Sequence, residues 1–166
     1  MKLLRFLRGG GRPRATGASA PELDLDAWRI VRLHNDETRE GAVMRVRFSK
    51  PERRDIASLQ TAIVAKWAYE SVNSMPTPEV RAEQAEFERA LDPLAPGESS
   101  ELVHVSTGMG LKEWIFYAAS SESFMRRFNE LLTGHPAYPV EIELYDDPDW
   151  RVWADLVEPL RERTDL

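Results

Sequence analysis

From residue 26 onward, apolar and polar positions recur with short, regular periods. Ala42, Met44, Val46 and Phe48 fall on one side of an extended segment and Arg45 and Arg47 on the other, the two-residue period of a half-buried strand. Residues 28–33 are also strand-like, and the polar stretch 34–41 joins the two as a β-hairpin. Residues 50–60, with Pro51 and five charges, predict a connector with room for one helical turn. Residues 61–69 alternate again, with Ile63, Ala65, Trp67 and Tyr69 on one face. At Thr77-Pro78-Glu79 the signal changes to a helix start: a capping hydroxyl, proline at the first helical position, and an acid facing the dipole. Val80, Gln84, Phe87, Leu91 and Leu94 then follow the three–four spacing of one helical face, which Pro93, Pro96 and Gly97 end.

The rhythm repeats further on. Residues 100–106 and 112–119 predict two strands, reversed by Thr107-Gly108-Met109-Gly110, where glycine tolerates positive φ. Ser120-Ser121-Glu122 caps a helix with an apolar face of Phe124, Phe128, Leu131 and Leu132, and Gly134 stands where a C-cap glycine belongs. Residues 138–145 alternate once more, and Asp147-Pro148-Asp149 opens a last helix striped with Trp150, Trp153, Val157 and Leu160. Residues 61–145 therefore read β-α-β-β-α-β. This predicts an α+β protein with a ferredoxin-like split βαβ core over 61–145, an N-terminal β-hairpin and a C-terminal helix. Right-handed crossovers put both core helices on one sheet face. The opposite face is then solvated, covered by the hairpin, or used for binding. On strand 138–145, Val140, Ile142 and Leu144 are expected to point to the helices. Glu141, Glu143 and Tyr145 would line the opposite face, with His104 joining them.

At 166 residues, the chain suits one domain with appendages. The expected division is a flexible basic tail at 1–25, a single α+β domain at 26–160 and a short tail at 161–166. The net charge of −6 hides an asymmetry: Lys2, Arg5, Arg8, Arg12 and Arg14 stand without an acid in residues 1–20, and the other 146 residues hold 17 basic and 28 acidic side chains. So acidic a body repels phosphates, which argues against specific nucleic-acid binding. The tail alternates apolar and basic residues at 1–8, a pattern suited to a weak membrane-surface contact. The longest apolar run, 114–119, is far too short to span a bilayer. Cysteine is absent, which removes disulfides, thiolate metal sites and a cysteine nucleophile.

Several constellations merit a chemical reading. Asp146-Asp147-Pro148-Asp149 offers carboxylates to a divalent ion near Asp146, but helix capping explains each residue. The Gly108–Gly110 stretch lies between strands and lacks a following Gly-Lys-Ser/Thr, so it reads as a hairpin turn and not a phosphate loop. His104 with Glu141 or Glu143 is the minimum kit for general base catalysis. His34 falls in the hairpin loop and His135 in a post-helical turn. Of the five tryptophans, Trp67, Trp114, Trp150 and Trp153 fall on inward stripes and Trp28 opens the hairpin. Arg29, Arg32, Arg45 and Arg47 form a basic strip on the hairpin, diluted by Asp36, Glu37 and Glu40.

The run Thr107 to Tyr117, with Phe124, Asn129, His135-Pro136-Ala137-Tyr138-Pro139-Val140-Glu141-Ile142 and Asp146-Asp147-Pro148-Asp149-Trp150, resembles the bacterial domain of unknown function 695 family. Trp67-Ala68-Tyr69 followed by Met75-Pro76 resembles that family's middle segment. The likeness covers about residues 28–157. It implies an α+β, ferredoxin-like domain akin to the B-type regulators of ribonuclease E, which are protein inhibitors of that nuclease, and it brings no catalytic residues.

The expectation is a non-catalytic, cytoplasmic interaction or regulatory domain without cofactor or metal. It would dock a protein partner through the sheet face of His104, Glu141, Glu143 and Tyr145, with a homodimer as a further option. The alternative is a small enzyme or ligand-binding domain using His104 with Glu141 or Glu143.

Overall fold

The computed structural model describes residues 28–35, 40–52, 55–71 and 73–164. The basic tail, including everything expected of residues 1–25, lies outside the described residues. Six strands, β1 (Trp28–His34), β2 (Gly41–Arg47), β3 (Thr61–Ala68), β4 (Ser100–Gly108), β5 (Leu111–Ala118) and β6 (Val140–Asp146), form one sheet. Three helices accompany them: α1 (Pro78–Leu91), α2 (Ser121–Leu131) and α3 (Arg151–Thr164). Short 3-10 turns cover Ile56–Ser58 and Asp92–Leu94. The protein is thus α+β, with the order β3-α1-β4-β5-α2-β6 between the hairpin and the last helix.

The strands lie in the order β1-β2-β4-β5-β3-β6, and every neighbouring pair is antiparallel. Local signals set the element ends. The Thr77 hydroxyl accepts from Val80 N at 3.4 Å and Ser120 from Ser123 N at 3.2 Å, each satisfying a donor that the helix leaves orphaned. Met109 and Gly110 both take positive φ, 55° and 72°, which matches the twist of a tight β4–β5 hairpin. Gly108 is needed for a different reason. A Cβ there would sit 2.3 Å from Gly41 O, so only glycine lets β2 approach β4 this closely.

Two cores flank the sheet. On one face Phe87 and Leu91 of α1 and Phe124 and Phe128 of α2 pack over Ile63, Ala65, Trp67, Trp114 and Phe116. On the other, Trp150, Trp153, Leu156, Val157 and Leu160 pack over Met44, Val46, Ala62, Val64, Ile115 and Tyr117. The hairpin therefore does not cover the second face. It extends the sheet edgewise, because β2 has a free β4 edge to pair with, and α3 covers the face instead. The last helix also differs from expectation at both ends. It starts at Arg151, not Pro148, and continues to Thr164 through Pro159, so residues 161–164 are helical and not tail. Among the described residues, no helix is long and apolar enough to cross a membrane.

Candidate functional site

The strand registers decide which polar side chains share a face. Glu141 lies opposite Lys66, Lys66 opposite Glu113, and Glu113 opposite Ser106, giving one row across β6, β3, β5 and β4. The next row runs Glu143, Val64, Ile115, His104, and the next begins Tyr145, Ala62, Tyr117. Since Val64, Ile115, Ala62 and Tyr117 pack toward α3, all these residues belong to the α3 side of the sheet. The sequence thus places Glu141, Glu143 and Tyr145 together correctly, on the face away from α1 and α2.

His104 shares that face but not the site. Three strand spacings separate it from Glu143, roughly 14 Å at ordinary sheet geometry. It is fully buried, and neither ring nitrogen has a hydrogen-bond partner. Burial lowers its pKa to about 3, so the ring is neutral. A β-bulge between Leu102 and His104 gives β4 an extra residue and turns consecutive residues, Val103 and His104, toward the same side. His104 is accordingly withdrawn from the surface expected to carry it, and its ring makes no hydrogen bond to Glu141 or Glu143. Leu144 also departs from expectation: at 48% exposed, it extends past the helices it was expected to meet.

Glu141, Glu143 and Tyr145 form a polar corner at the β6 edge of the sheet, and the residue at its centre is one that sequence reasoning passed over. Lys66 is the single charge in β3, and its Nζ lies 2.5 Å from Glu143 Oε1. Tyr145 donates its hydroxyl hydrogen to the other oxygen, Glu143 Oε2. The bonds from Lys66 and then Tyr145 hold the Glu143 carboxyl below the usual range, and the same bond to Glu143 pushes the Tyr145 hydroxyl up to about 12. Glu113 is buried with neither carboxylate oxygen hydrogen-bonded, and burial raises its pKa, opposed by the Lys66 charge. A lone charge inside an otherwise apolar strand, as at Lys66, is the signal that would have pointed here.

Of the carboxylates near Asp146, Asp147 is turned to the start of the last helix. Asp147 Oδ1 accepts from Arg151 N, and Oδ2 accepts from Val152 N and the Tyr117 hydroxyl. Among the described residues, no three His, Asp or Glu side chains are grouped to hold a metal ion.

The arginine strip divides as well. Register puts Arg32, Arg45 and Arg47 on the α1/α2 side with Trp28, whose ring carries the Arg45 and Arg47 guanidinia at 5.0 and 5.2 Å, whereas Arg29 falls on the α3 side.

What these elements define is a six-stranded antiparallel α+β domain whose β6 margin bears exposed carboxylates around one internal cation. The chain belongs to the family of unknown function DUF695, whose model matches residues 26–157. No curated protein and no solved structure matches it.

Proposed function

We infer that this protein is a non-catalytic interaction domain that docks a basic, extended segment of a protein partner along β6. The observation that carries this reading is the state of that strand. Among the described residues β6 pairs only with β3, so its outer edge offers backbone N–H and C=O groups that an added strand would satisfy. Glu141, Leu144 and Tyr145 are exposed along it, giving charge and apolar contact in alternation. Lys66 neutralises Glu143 from within and leaves Glu141 as the carboxylate open to a cation from outside. Regulation by occupying the partner is the form this docking would take in a cell.

The test is Glu141→Lys in a pull-down from lysate with mass-spectrometric identification, followed by titration of the captured partner. Charge reversal should weaken binding about tenfold or more with an unchanged thermal midpoint, because like charges then face each other. Glu143 is the poorer choice for reversal, since it would release Lys66. If Glu141→Lys leaves the affinity intact, or if a second copy of the chain is the sole binding partner found, the reading fails.

A further inference from the structure

The sheet is wider than the helix pair that covers it. Six strands span roughly 24 Å from first axis to last, whereas two helices side by side cover roughly 20 Å. Because α1 and α2 sit over the β3, β4 and β5 side chains of their core, the shortfall comes at the β2–β4 end. There a cleft of about 480 Å3 opens between α1 and the sheet. Its floor includes Leu102, Val105 and Trp114, and Arg45 of β2 and Arg89 of α1 stand at its sides.

The charges in the cleft are unequally committed. Glu88 spends one oxygen on Lys112 Nζ at 3.1 Å and the other on Trp114 Nε1 at 2.9 Å, so its charge is balanced inside the protein. Arg45 rests on the Trp28 ring, and Arg89 donates only Nε, to Ala85 O at 3.3 Å. Neither guanidinium forms an ion pair with a described residue. Asp92, at the end of α1, is the one acid of the lining not so balanced. An apolar floor, a volume in the range of small-molecule sites and two uncommitted guanidinia are the makings of an anion site with an apolar body.

We propose that this cleft binds a small organic carboxylate with a planar apolar body, the body on Leu102, Val105 and Trp114 and the carboxylate on Arg45 and Arg89. The site is on the face opposite the β6 carboxylates and does not depend on the docking reading. An occupant would bridge α1 to the β1–β2 ribbon, which no helix among the described residues covers on this side.

The experiment uses 2-naphthoate as probe and 2-naphthylmethylamine as its cationic counterpart, each titrated calorimetrically into the full chain. Naphthoate should bind one per chain and at least about tenfold tighter than the amine. The double variant Arg45→Gln/Arg89→Gln should lose about tenfold in naphthoate affinity and bring the two probes level. Ala85→Trp, an exposed helix position on the rim, should block naphthoate while the circular dichroism melt stays as in the wild type. Equal affinity for the two probes, naphthoate binding unchanged in the double arginine variant, or no saturation up to about 10 mM would each overturn the proposal.

Discussion

The Tyr117 hydroxyl donates to Asp147 Oδ2 at 2.5 Å and, through the same oxygen, accepts from Trp153 N at 3.1 Å. One buried hydroxyl thereby joins the middle of the sheet to the first turn of α3. The Asp147 carboxylate takes two further N–H groups, from Arg151 and Val152, at 2.7 and 2.9 Å. Trp150, held at φ 62° just before the helix, stacks on the Tyr117 ring at 3.8 Å between centroids. A tryptophan in the left-handed region costs free energy, and this stack is the contact that offsets it.

Asp147→Ala should therefore cost more than an ordinary cap. Loss of the two helix N–H partners and of the Tyr117 bond at a buried site predicts about 2–3 kcal/mol. Tyr117→Phe, which leaves the Trp153 N–H without its acceptor, should cost about 1–2 kcal/mol. Urea unfolding measures both. Values below roughly 0.5 kcal/mol, as at ordinary surface positions, would mean that α3 is not anchored through this pair.

Glu113 should make the protein less stable as pH rises. Burial raises its folded-state pKa above the ordinary 4.5, so between those values the native state holds the proton that the unfolded chain releases. Stability is thus favoured below about 4.5 and lost as pH climbs through the folded pKa. Glu113→Gln removes the charge and should stabilise the protein at pH 7 by about 1 kcal/mol or more, because an unpartnered group costs more to bury charged than neutral. That advantage should shrink to little at pH 4. A constant difference across the range would show that the carboxyl is not protonated on folding.

His104 works with the opposite sign. Its folded pKa of about 3 lies below the ordinary 6.5, so the unfolded chain takes up the proton first as pH falls. Across that window the group removes about 1.4 kcal/mol of stability per pH unit. His104→Leu replaces two unpartnered nitrogens by an apolar side chain of similar size. It should match or exceed wild-type stability at pH 7 and flatten the loss between pH 6 and 4 in chemical unfolding. An unchanged acid slope would place the ring in contact with water.

The Lys66–Glu143 pair should couple more strongly than a surface ion pair. The Lys66 side chain is only 14% exposed, and Tyr145 orients the carboxylate. A double-mutant cycle with Lys66→Met and Glu143→Gln should give a coupling of about 1–2 kcal/mol, above the 0.2–1 kcal/mol of exposed pairs. Coupling near zero would reduce the corner to independent surface charges.

Features decided within a few residues were legible in the sequence. Thr77 and Ser120 mark helix starts through chemistry local to the backbone, and the alternation in β3 and β6 fixes which side chains share a face. Arg151 as the true start of α3 was not legible, because Asp147 caps at a distance and Tyr117, thirty residues earlier, sets where the helix begins. The layer that α3 covers was likewise hidden: an amphipathic stripe shows that a helix must be buried, not against which face. Of the candidate site, Glu141, Glu143 and Tyr145 came from period two alone. Lys66 enters only through the β3–β6 register, and His104 leaves because a one-residue bulge places it beneath α3.

The bond from Trp153 Nε1 to Arg47 O, at 2.9 Å, joins residues 106 positions apart. It belongs to the face that α3 closes, where the first strands of the domain meet its final helix. Loop closure of that length contributes nothing until the whole domain has been made, so contacts of this kind slow folding and come late. On a ribosome the β1–β2–β4 apolar surface, with Met44 and Val46 at its centre, stays open until residues 150–160 have emerged. A chain stopped short of Trp150 would carry a sheet finished on one side and greasy on the other, which is the form that chaperones and proteases recognise.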